Sequence, residues 1–100
     1  MNYAYEMLKD YVPVKTALKT RREGDMLIAS NQSGQIYYLN ETGAYIWQII
    51  DETSSIEDLQ QKISDEYKAD SERIKDDIIN FIRDMQWKKL LRLKEVLRKS

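Results

Sequence analysis

The side chains in this sequence that are best suited to catalysis are carboxylates and serine hydroxyls. The chain has no histidine and no cysteine, so an imidazole base and a thiol nucleophile are excluded. No serine has a visible base partner in the sequence; the serines considered are Ser30, Ser33, Ser54, Ser55 and Ser64. The carboxylate pairs Glu57-Asp58 and Asp76-Asp77 lie in helical patterns, where solvated charge is the ordinary interpretation. We therefore expect a protein that is not an enzyme.

Cofactor and metal sites have equally little support. Without cysteine there is no disulfide framework, no zinc knuckle and no iron–sulfur site. Gly24, Gly34 and Gly43 each stand alone, so the sequence holds no glycine loop that would cradle a phosphate. We expect no cofactor and no metal, and a binding module is the class that remains.

Charge and length limit the kinds of molecule that such a module is expected to bind. The chain has 100 residues, enough for one domain, and a formal net charge of −1. Residues 51–87 carry eleven acidic and five basic side chains, whereas residues 88–100 carry one acidic and six basic. A basic face on a basic domain, typical of duplex binders, is therefore not indicated. No apolar run reaches membrane-spanning length and no signal core is present, so we expect a cytoplasmic protein without membrane or nucleic-acid partners.

Three strands are predicted in the first half of the chain. Alternation from Val14 to Lys19 indicates the first strand, and the segment from Arg22 to Asp25 is predicted as a turn. The apolar run Met26–Ala29 indicates a second strand, and Gln35–Leu39 a third. Before them, residues 1–11 fit either a short helix from Met1 to Asp10 or a loose arm.

Three helices are predicted in the second half. Asn40 is a candidate N-cap for a helix that runs to Ile50. Ser54 and Glu57 have the spacing of a capping box that opens the second helix. Asp70 or Ser71 caps the third, whose apolar stripe comprises Ile74, Ile78, Phe81, Ile82 and Met85. The tail is ambiguous, because Leu90, Leu93 and Leu97 fit a helix while Leu91 and Leu93 fit a returning strand.

Strands followed by helices are typical of an α+β domain, and the short turns indicate an antiparallel meander whose first and third strands are edges.

One stretch of the sequence has a more specific pattern of residues. It comprises Tyr37–Ala44 (YYLNETGA), then Ile46-Trp47, Asp51 and Ser55-Ile56. Further residues of the same pattern follow at Leu59, Ile63, Tyr67, Ile74, Asp77, Phe81-Ile82 and Leu90-Leu91.

These residues resemble the PqqD-like family, the recognition elements (RREs) of pathways that make ribosomally synthesised, post-translationally modified peptides (RiPPs). The resemblance covers about residues 14–93 and implies a winged helix-turn-helix, a three-stranded antiparallel sheet followed by three helices. Residues 1–13 would be an N-terminal arm and 94–100 a basic C-terminal tail. Differences around the second turn and the first helix, with Glu52 where the family often has glycine, make pyrroloquinoline quinone synthesis an unexpected pathway.

The resemblance implies a non-catalytic role. Such proteins bind the leader of a precursor peptide and present it to a maturation enzyme, a radical S-adenosylmethionine (SAM) protein or, in lasso-peptide pathways, a leader peptidase. The leader would add as a strand along the edge formed by Gln35, Ile36, Tyr37, Tyr38 and Leu39. The third helix would supply a wall formed by Arg73, Ile74, Asp77, Ile78 and Phe81. Arg73 and Asp77 could instead pair with each other, and Ile74 and Phe81 could belong wholly to the core.

Two other functions are compatible with the sequence. A winged-helix regulator would place the third helix in the DNA major groove, although Glu72, Asp76, Asp77 and Asp84 would repel phosphates. A structural assembly subunit would dock on a larger enzyme through Leu90–Leu97. Pairing of two copies through their sheet edges, giving a homodimer, is also left open.

Overall fold

The structure is a computed structural model that describes residues 2–95. Within that range the chain forms four helices and five strands, which confirms the α+β class. In chain order they are α1 (Tyr3–Leu8), β1 (Val12–Lys15), β2 (Lys19–Glu23), β3 (Met26–Ser30), β4 (Ile36–Leu39), α2 (Glu41–Ile49), α3 (Ile56–Tyr67), α4 (Ser71–Trp87) and β5 (Leu91–Lys94).

The larger sheet is an antiparallel meander in the order β2-β3-β4, so β2 and β4 are its edges, as predicted. Its first strand was placed too early in the sequence, because β2 begins at Lys19. A two-residue turn at Gly24-Asp25 pairs Glu23 with Met26, and Gly24 has the positive φ of 61° that such a turn requires. The predicted turn residues Arg22 and Glu23 therefore lie in the strand.

A second sheet joins the two ends of the described chain. β1 pairs antiparallel with β5, from Val12 opposite Lys94 to Lys15 opposite Leu91. The strand alternative for the tail is thus confirmed at Leu91 and Leu93, whereas Leu97 lies outside the described residues. The alternation predicted from Val14 to Lys19 is therefore divided: Val14 and Lys15 belong to this sheet, residues 16–18 connect the two sheets, and Lys19 belongs to the meander.

The fold has four helices and not the expected three, because α1 is a fourth, and α1 confirms the short-helix alternative for residues 1–11. Asn2 caps α1 by accepting a hydrogen bond from the Tyr5 amide at 2.9 Å. A helix of six residues is too short to be stable alone, and packing holds this one in place. Tyr5 is only 2% exposed, and its hydroxyl bonds to Gln60 at 3.3 Å. Burial, followed by the nearby Glu57 carboxylate, raises the pKa of Tyr5 to about 12.

The caps of the later helices agree with the sequence in two cases out of three. Asn40 caps α2 and Asp70 caps α4, as predicted. The cap of α3 is Ser55, paired with Asp58, and not Ser54 with Glu57. The reason is that Ser54 is used elsewhere: its backbone amide and its hydroxyl both donate to Asp51.

One hydrophobic core lies between the meander and the helices. It includes Leu39 and Trp47, both 5% exposed. α4 contributes the largest share with Ile74, Ile78, Ile79, Ile82 and Met85. No helix in residues 2–95 is both long enough and apolar enough to cross a membrane.

Candidate functional site

The two open edges of the meander differ sharply in charge. In β2 four of five residues are charged, Lys19, Arg21, Arg22 and Glu23, and all five residues are exposed. In β4 the sequence is IYYL, without a charge. Proteins commonly protect an open edge from pairing with other chains by placing charged side chains on it. By that criterion β2 is protected, whereas β4 is available for pairing.

The direction of the backbone groups on β4 follows from the strand register. The amide of Asn31 donates to the carbonyl of Gln35 at 3.0 Å, so these opposite residues are a hydrogen-bonded pair. Such pairs alternate along an antiparallel ladder, so Tyr37 and Leu39 also bond to β3. The N–H and C=O groups of Ile36 and Tyr38 must then face the open edge. Four backbone groups are thereby presented to any added strand.

The side chains of β4 alternate between the inner and the outer face of the sheet. Leu39 points into the core, and Tyr37 is half-buried with the Lys88 ammonium 5.2 Å from its ring centroid. Ile36 and Tyr38 point away from the core and are 62% and 65% exposed. The two residues that present backbone groups also present large apolar side chains to solvent.

A groove runs beside this edge. The edge groove has a volume of about 650 Å³ and lies between β4, the start of α2 and one flank of α4. It is lined by Tyr38, Leu39, Asn40, Thr42, Gly43, Ile46, Asp77, Asn80, Phe81, Asp84, Met85 and Lys88. The groove gives a strand added to β4 a second surface, the flank of α4.

A second cleft of about 430 Å³, the helix cleft, opens next to the edge groove. It is lined by Arg22, Glu41, Thr42, Tyr45, Ile46, Gln48, Ile63, Tyr67, Ala69, Ile74, Asp77 and Ile78. Thr42, Ile46 and Asp77 line both cavities, so the two are adjacent.

The predicted wall residues divide between these cavities. Asp77 and Phe81 line the edge groove, beside β4. Ile74 and Ile78 line the helix cleft, but they are 5% and 0% exposed and belong to the core. Arg73 is exposed and lines neither cavity, and among the described residues it makes no salt bridge with Asp77.

Gln35 has a different role from the rest of the predicted edge. Its side-chain oxygen accepts from the Asn31 amide group at 2.8 Å, and its backbone N–H donates to the Asn31 side chain at 3.1 Å. The Asn31 side chain is buried and also donates to the Lys88 carbonyl at 2.9 Å. Gln35 therefore fixes the β3–β4 turn, and the open edge begins at Ile36.

Sequence reasoning missed the C-terminal half of the groove wall. Asn80, Asp84 and Lys88 continue the flank that starts at Asp77, at steps of three or four residues. Extending that stripe beyond Phe81 would have found them. Lys88 donates to Asp84 at 2.9 Å while it lies over the Tyr37 ring. These contacts attach the end of α4 to the inner side of β4.

Asn40 and Gly43 fix where α2 begins relative to the groove. The Asn40 side chain accepts from the Gly43 amide at 2.9 Å. A Cβ added at Gly43 would lie 3.5 Å from Phe81 and 3.4 Å from the Asn40 side-chain oxygen. These are ordinary contact distances, so the packing at this position does not require a glycine.

The polar groups at the rim of the helix cleft are held in place. The Tyr45 hydroxyl donates to Glu66, and its ring meets Tyr67 edge-on with centroids 5.3 Å apart. Burial, together with that hydrogen bond, raises the pKa of Tyr45 to about 12, so the phenol stays protonated at neutral pH. In residues 2–95, no three acidic side chains come together as metal ligands would.

Comparison with known proteins is consistent with this geometry. The family described as coenzyme PQQ synthesis protein D (PqqD) matches residues 25–91, two thirds of the chain. The solved structure of TbiB1 in complex with the TbiA(beta) leader peptide superposes with a TM-score of 0.68 and 23% identity. The match covers 80% of this chain and 93% of that chain, which shows a shared fold. No curated protein matches. The family match spans β3, β4, α2, α3 and α4, which include the open edge and every helix that lines the edge groove, and because it covers two thirds of the sequence the chain belongs to the PqqD family.

Proposed function

We propose that this protein recognises the leader of a ribosomally synthesised precursor peptide by strand addition at β4 and presents it to a maturation enzyme. The observation that carries the proposal is the uncharged open edge, whose backbone groups at Ile36 and Tyr38 border a groove. Family membership supports it, and so does the leader peptide bound to the similarly folded TbiB1.

Strand addition suits a partner that is disordered when free. Backbone hydrogen bonds provide affinity with little dependence on sequence, and neighbouring pockets provide selectivity. Here four backbone groups are available, each contributing about 0.5–1.5 kcal/mol as a net hydrogen bond. The edge is already rigid, because Leu39 is buried and Asn40 caps α2 directly after it. A preorganised edge leaves only the leader to be ordered on binding.

We infer further that the meander and α2–α4 form a winged helix-turn-helix. α3 and α4 are joined by residues 68–70 alone, a connection of the length used in helix-turn-helix motifs. Lys68, with φ of 51°, ends α3 in the left-handed conformation that allows this short link. The wing would be the β2–β3 hairpin, and the peptide would occupy the opposite edge of the sheet.

In this proposal the protein is non-catalytic and the chemistry belongs to its partner. Radical SAM proteins and leader peptidases are the two kinds of maturation enzyme that fit. The role of the chain is to hold the leader so that the remainder of the precursor reaches that enzyme.

Fluorescence anisotropy with a labelled leader, taken from the short precursor gene encoded nearest this protein, tests the proposal. Tyr38→Pro removes an N–H that faces the open edge, so the pairing of β4 with β3 is retained. The matched control is Thr20→Pro. By the same alternation, the Thr20 backbone faces the open edge of β2, on the opposite side of the sheet.

We expect the leader to bind the wild-type protein and Thr20→Pro alike. Tyr38→Pro should weaken binding about tenfold or more, since one hydrogen bond is lost and the added strand is obstructed. Circular dichroism would establish that both variants are folded. Equal affinities for Tyr38→Pro and the wild type would contradict strand addition at β4, and no binding by the folded wild type would contradict the proposal as a whole.

A further inference from the structure

The outer face of the meander, which points away from the core, carries an apolar strip next to the open edge. The strip consists of Met26 and Ile28 on β3 and Ile36 and Tyr38 on β4. Ile28 lies directly opposite Tyr38 in the strand register. Met26 is 41% exposed, and Ile36 and Tyr38 are more exposed still.

The opposite side of the same face is charged. The residues of β2 that share it are Lys19, Arg21 and Glu23, which lie opposite Ser30, Ile28 and Met26. Arg21 and Glu23 pair with each other at 3.5 Å. The outer face therefore changes from charged at the protected edge to apolar at the open edge, where the proposed leader strand would lie.

Register determines which leader side chains would meet the strip. A strand bonded to the backbone groups of Ile36 and Tyr38 places one residue directly opposite each of them. Opposite residues have side chains on the same face of a sheet. Two leader residues, separated by one, would then point outward beside Ile36 and Tyr38. The residue between them would point inward, as Tyr37 does, toward the edge groove.

We propose that the chain selects leaders with β-branched or aromatic side chains at those two outward positions, i and i+2, through cross-strand pairing with Ile36 and Tyr38. This inference rests on the proposed function and adds a specificity element on the outer face of the sheet. Pairs of this kind change affinity by about 1.4- to 5-fold each. They would also cover the two most exposed large apolar side chains of the meander.

The test combines variants of the protein with variants of the leader. Ile36→Thr and Tyr38→Thr place a residue suited to a strand at these positions but remove the large apolar group. Each leader residue is replaced in turn by alanine, which is neither β-branched nor aromatic, and anisotropy gives the affinity of every pair. Arg21→Thr, on the same face but at the protected side, is the control.

We expect Tyr38→Thr and Ile36→Thr each to weaken binding of the unmodified leader about two- to fivefold, and Arg21→Thr to leave that affinity unchanged. At one leader position, substitution should no longer change the affinity when the protein carries Tyr38→Thr. At a position two residues away, the same should hold when the protein carries Ile36→Thr. If the Tyr38 partner is the more N-terminal of the two, the added strand is antiparallel to β4.

Two results would overturn this inference. If the leader binds and is weakened by Tyr38→Pro, but neither threonine variant affects its affinity, strand addition stands and outward selectivity is wrong. The strip would then be free to meet another molecule, such as the maturation enzyme. If the folded wild-type protein binds no leader, the inference falls together with the proposed function.

Discussion

At the scale of single residues, Asp51 fixes the connection between α2 and α3. Its carboxylate accepts hydrogen bonds from the Ser54 amide at 2.7 Å, the Thr53 amide at 3.0 Å and the Ser54 hydroxyl at 2.9 Å. These bonds, led by the Ser54 amide, hold the pKa of Asp51 well below its usual range. The charged form is therefore the one that stabilises the fold.

Replacing Asp51 with asparagine should change the pH dependence of stability. A depressed pKa in the folded state contributes stability above the unfolded-state pKa of about 4, and that contribution is lost as the pH falls below it. Asp51→Asn should therefore reduce the free energy of unfolding more at pH 7 than at pH 3. Urea unfolding at the two pH values measures the difference.

The control for that experiment is Asp25→Asn, in the exposed β2–β3 turn. It should shift the urea midpoint little, because the Asp25 side chain is exposed. If Asp51→Asn cost the same free energy at pH 7 and pH 3, the hydrogen bonds to Asp51 would not be coupled to its ionisation.

Residue patterns predicted some of these details and missed others. Asn40 follows a strand and precedes a helical stripe, so its capping role was visible in the sequence. Ser54 and Ser55 are adjacent, and each has an acidic residue three positions later. Only the loop geometry around Asp51 decides between them.

At the scale of elements, α3 begins with a reciprocal cap. The Ser55 hydroxyl accepts from the Asp58 amide at 3.1 Å, and the Asp58 carboxylate accepts from the Ser55 amide at 3.0 Å. Two amides at the helix start that would otherwise lack partners are thereby satisfied.

Alanine substitution should distinguish Ser55 from its neighbour. Ser55→Ala should lower the free energy of unfolding by about 1 kcal/mol, because it removes the N-cap acceptor. Ser54→Ala should change it by less than about 0.5 kcal/mol, since it removes one exposed hydrogen bond. Urea unfolding at pH 7 measures both, and the reverse order would show that Ser54 is the cap.

The order of strands and helices along the chain was more predictable than which strands pair with each other. The meander, its open third strand and the apolar stripe of α4 all follow from local periodicity. β1 does not, because the alternation from Val14 to Leu18 runs across the end of one strand toward the start of another. What separates them is the pairing of β1 with β5, some 80 residues away in sequence, which no local pattern reports. The peptide-binding wall predicted from Arg73 to Phe81 stays a prediction; of its residues, Asp77 and Phe81 line the edge groove, which continues along α4 to Lys88.

At the scale of the whole molecule, the N-terminal segment is part of the packed structure. Tyr5 joins the core and Lys75 lies 5.1 Å from its ring centroid, while Asn2 donates to Asp76 at 2.6 Å. β1 then pairs with β5 at the other end of the described chain. The division into an arm of residues 1–13 and a domain of residues 14–93 stays a prediction.

Substituting two tyrosines of α1 tests whether the N-terminal segment unfolds together with the remainder of the protein. Tyr5→Ala should lower the free energy of unfolding by about 3 kcal/mol, because it empties a buried aromatic site. Tyr3→Ala, on the same helix but 75% exposed, should change it by less than about 0.5 kcal/mol. Small effects of both, measured by urea unfolding, would show that α1 behaves as a loose arm.

Strand addition at β4 would engage two backbone amides, those of Ile36 and Tyr38, and amide hydrogen exchange followed by NMR measures both of them. In the free protein Ile36 and Tyr38 should exchange quickly, since their N–H groups face the open edge, whereas Tyr37 and Leu39 are already protected by β3. At a free leader concentration of about 100 times Kd, exchange at Ile36 and Tyr38 should slow by about 100-fold. If the leader binds but slows neither of these amides, the peptide occupies another surface and strand addition at β4 is wrong.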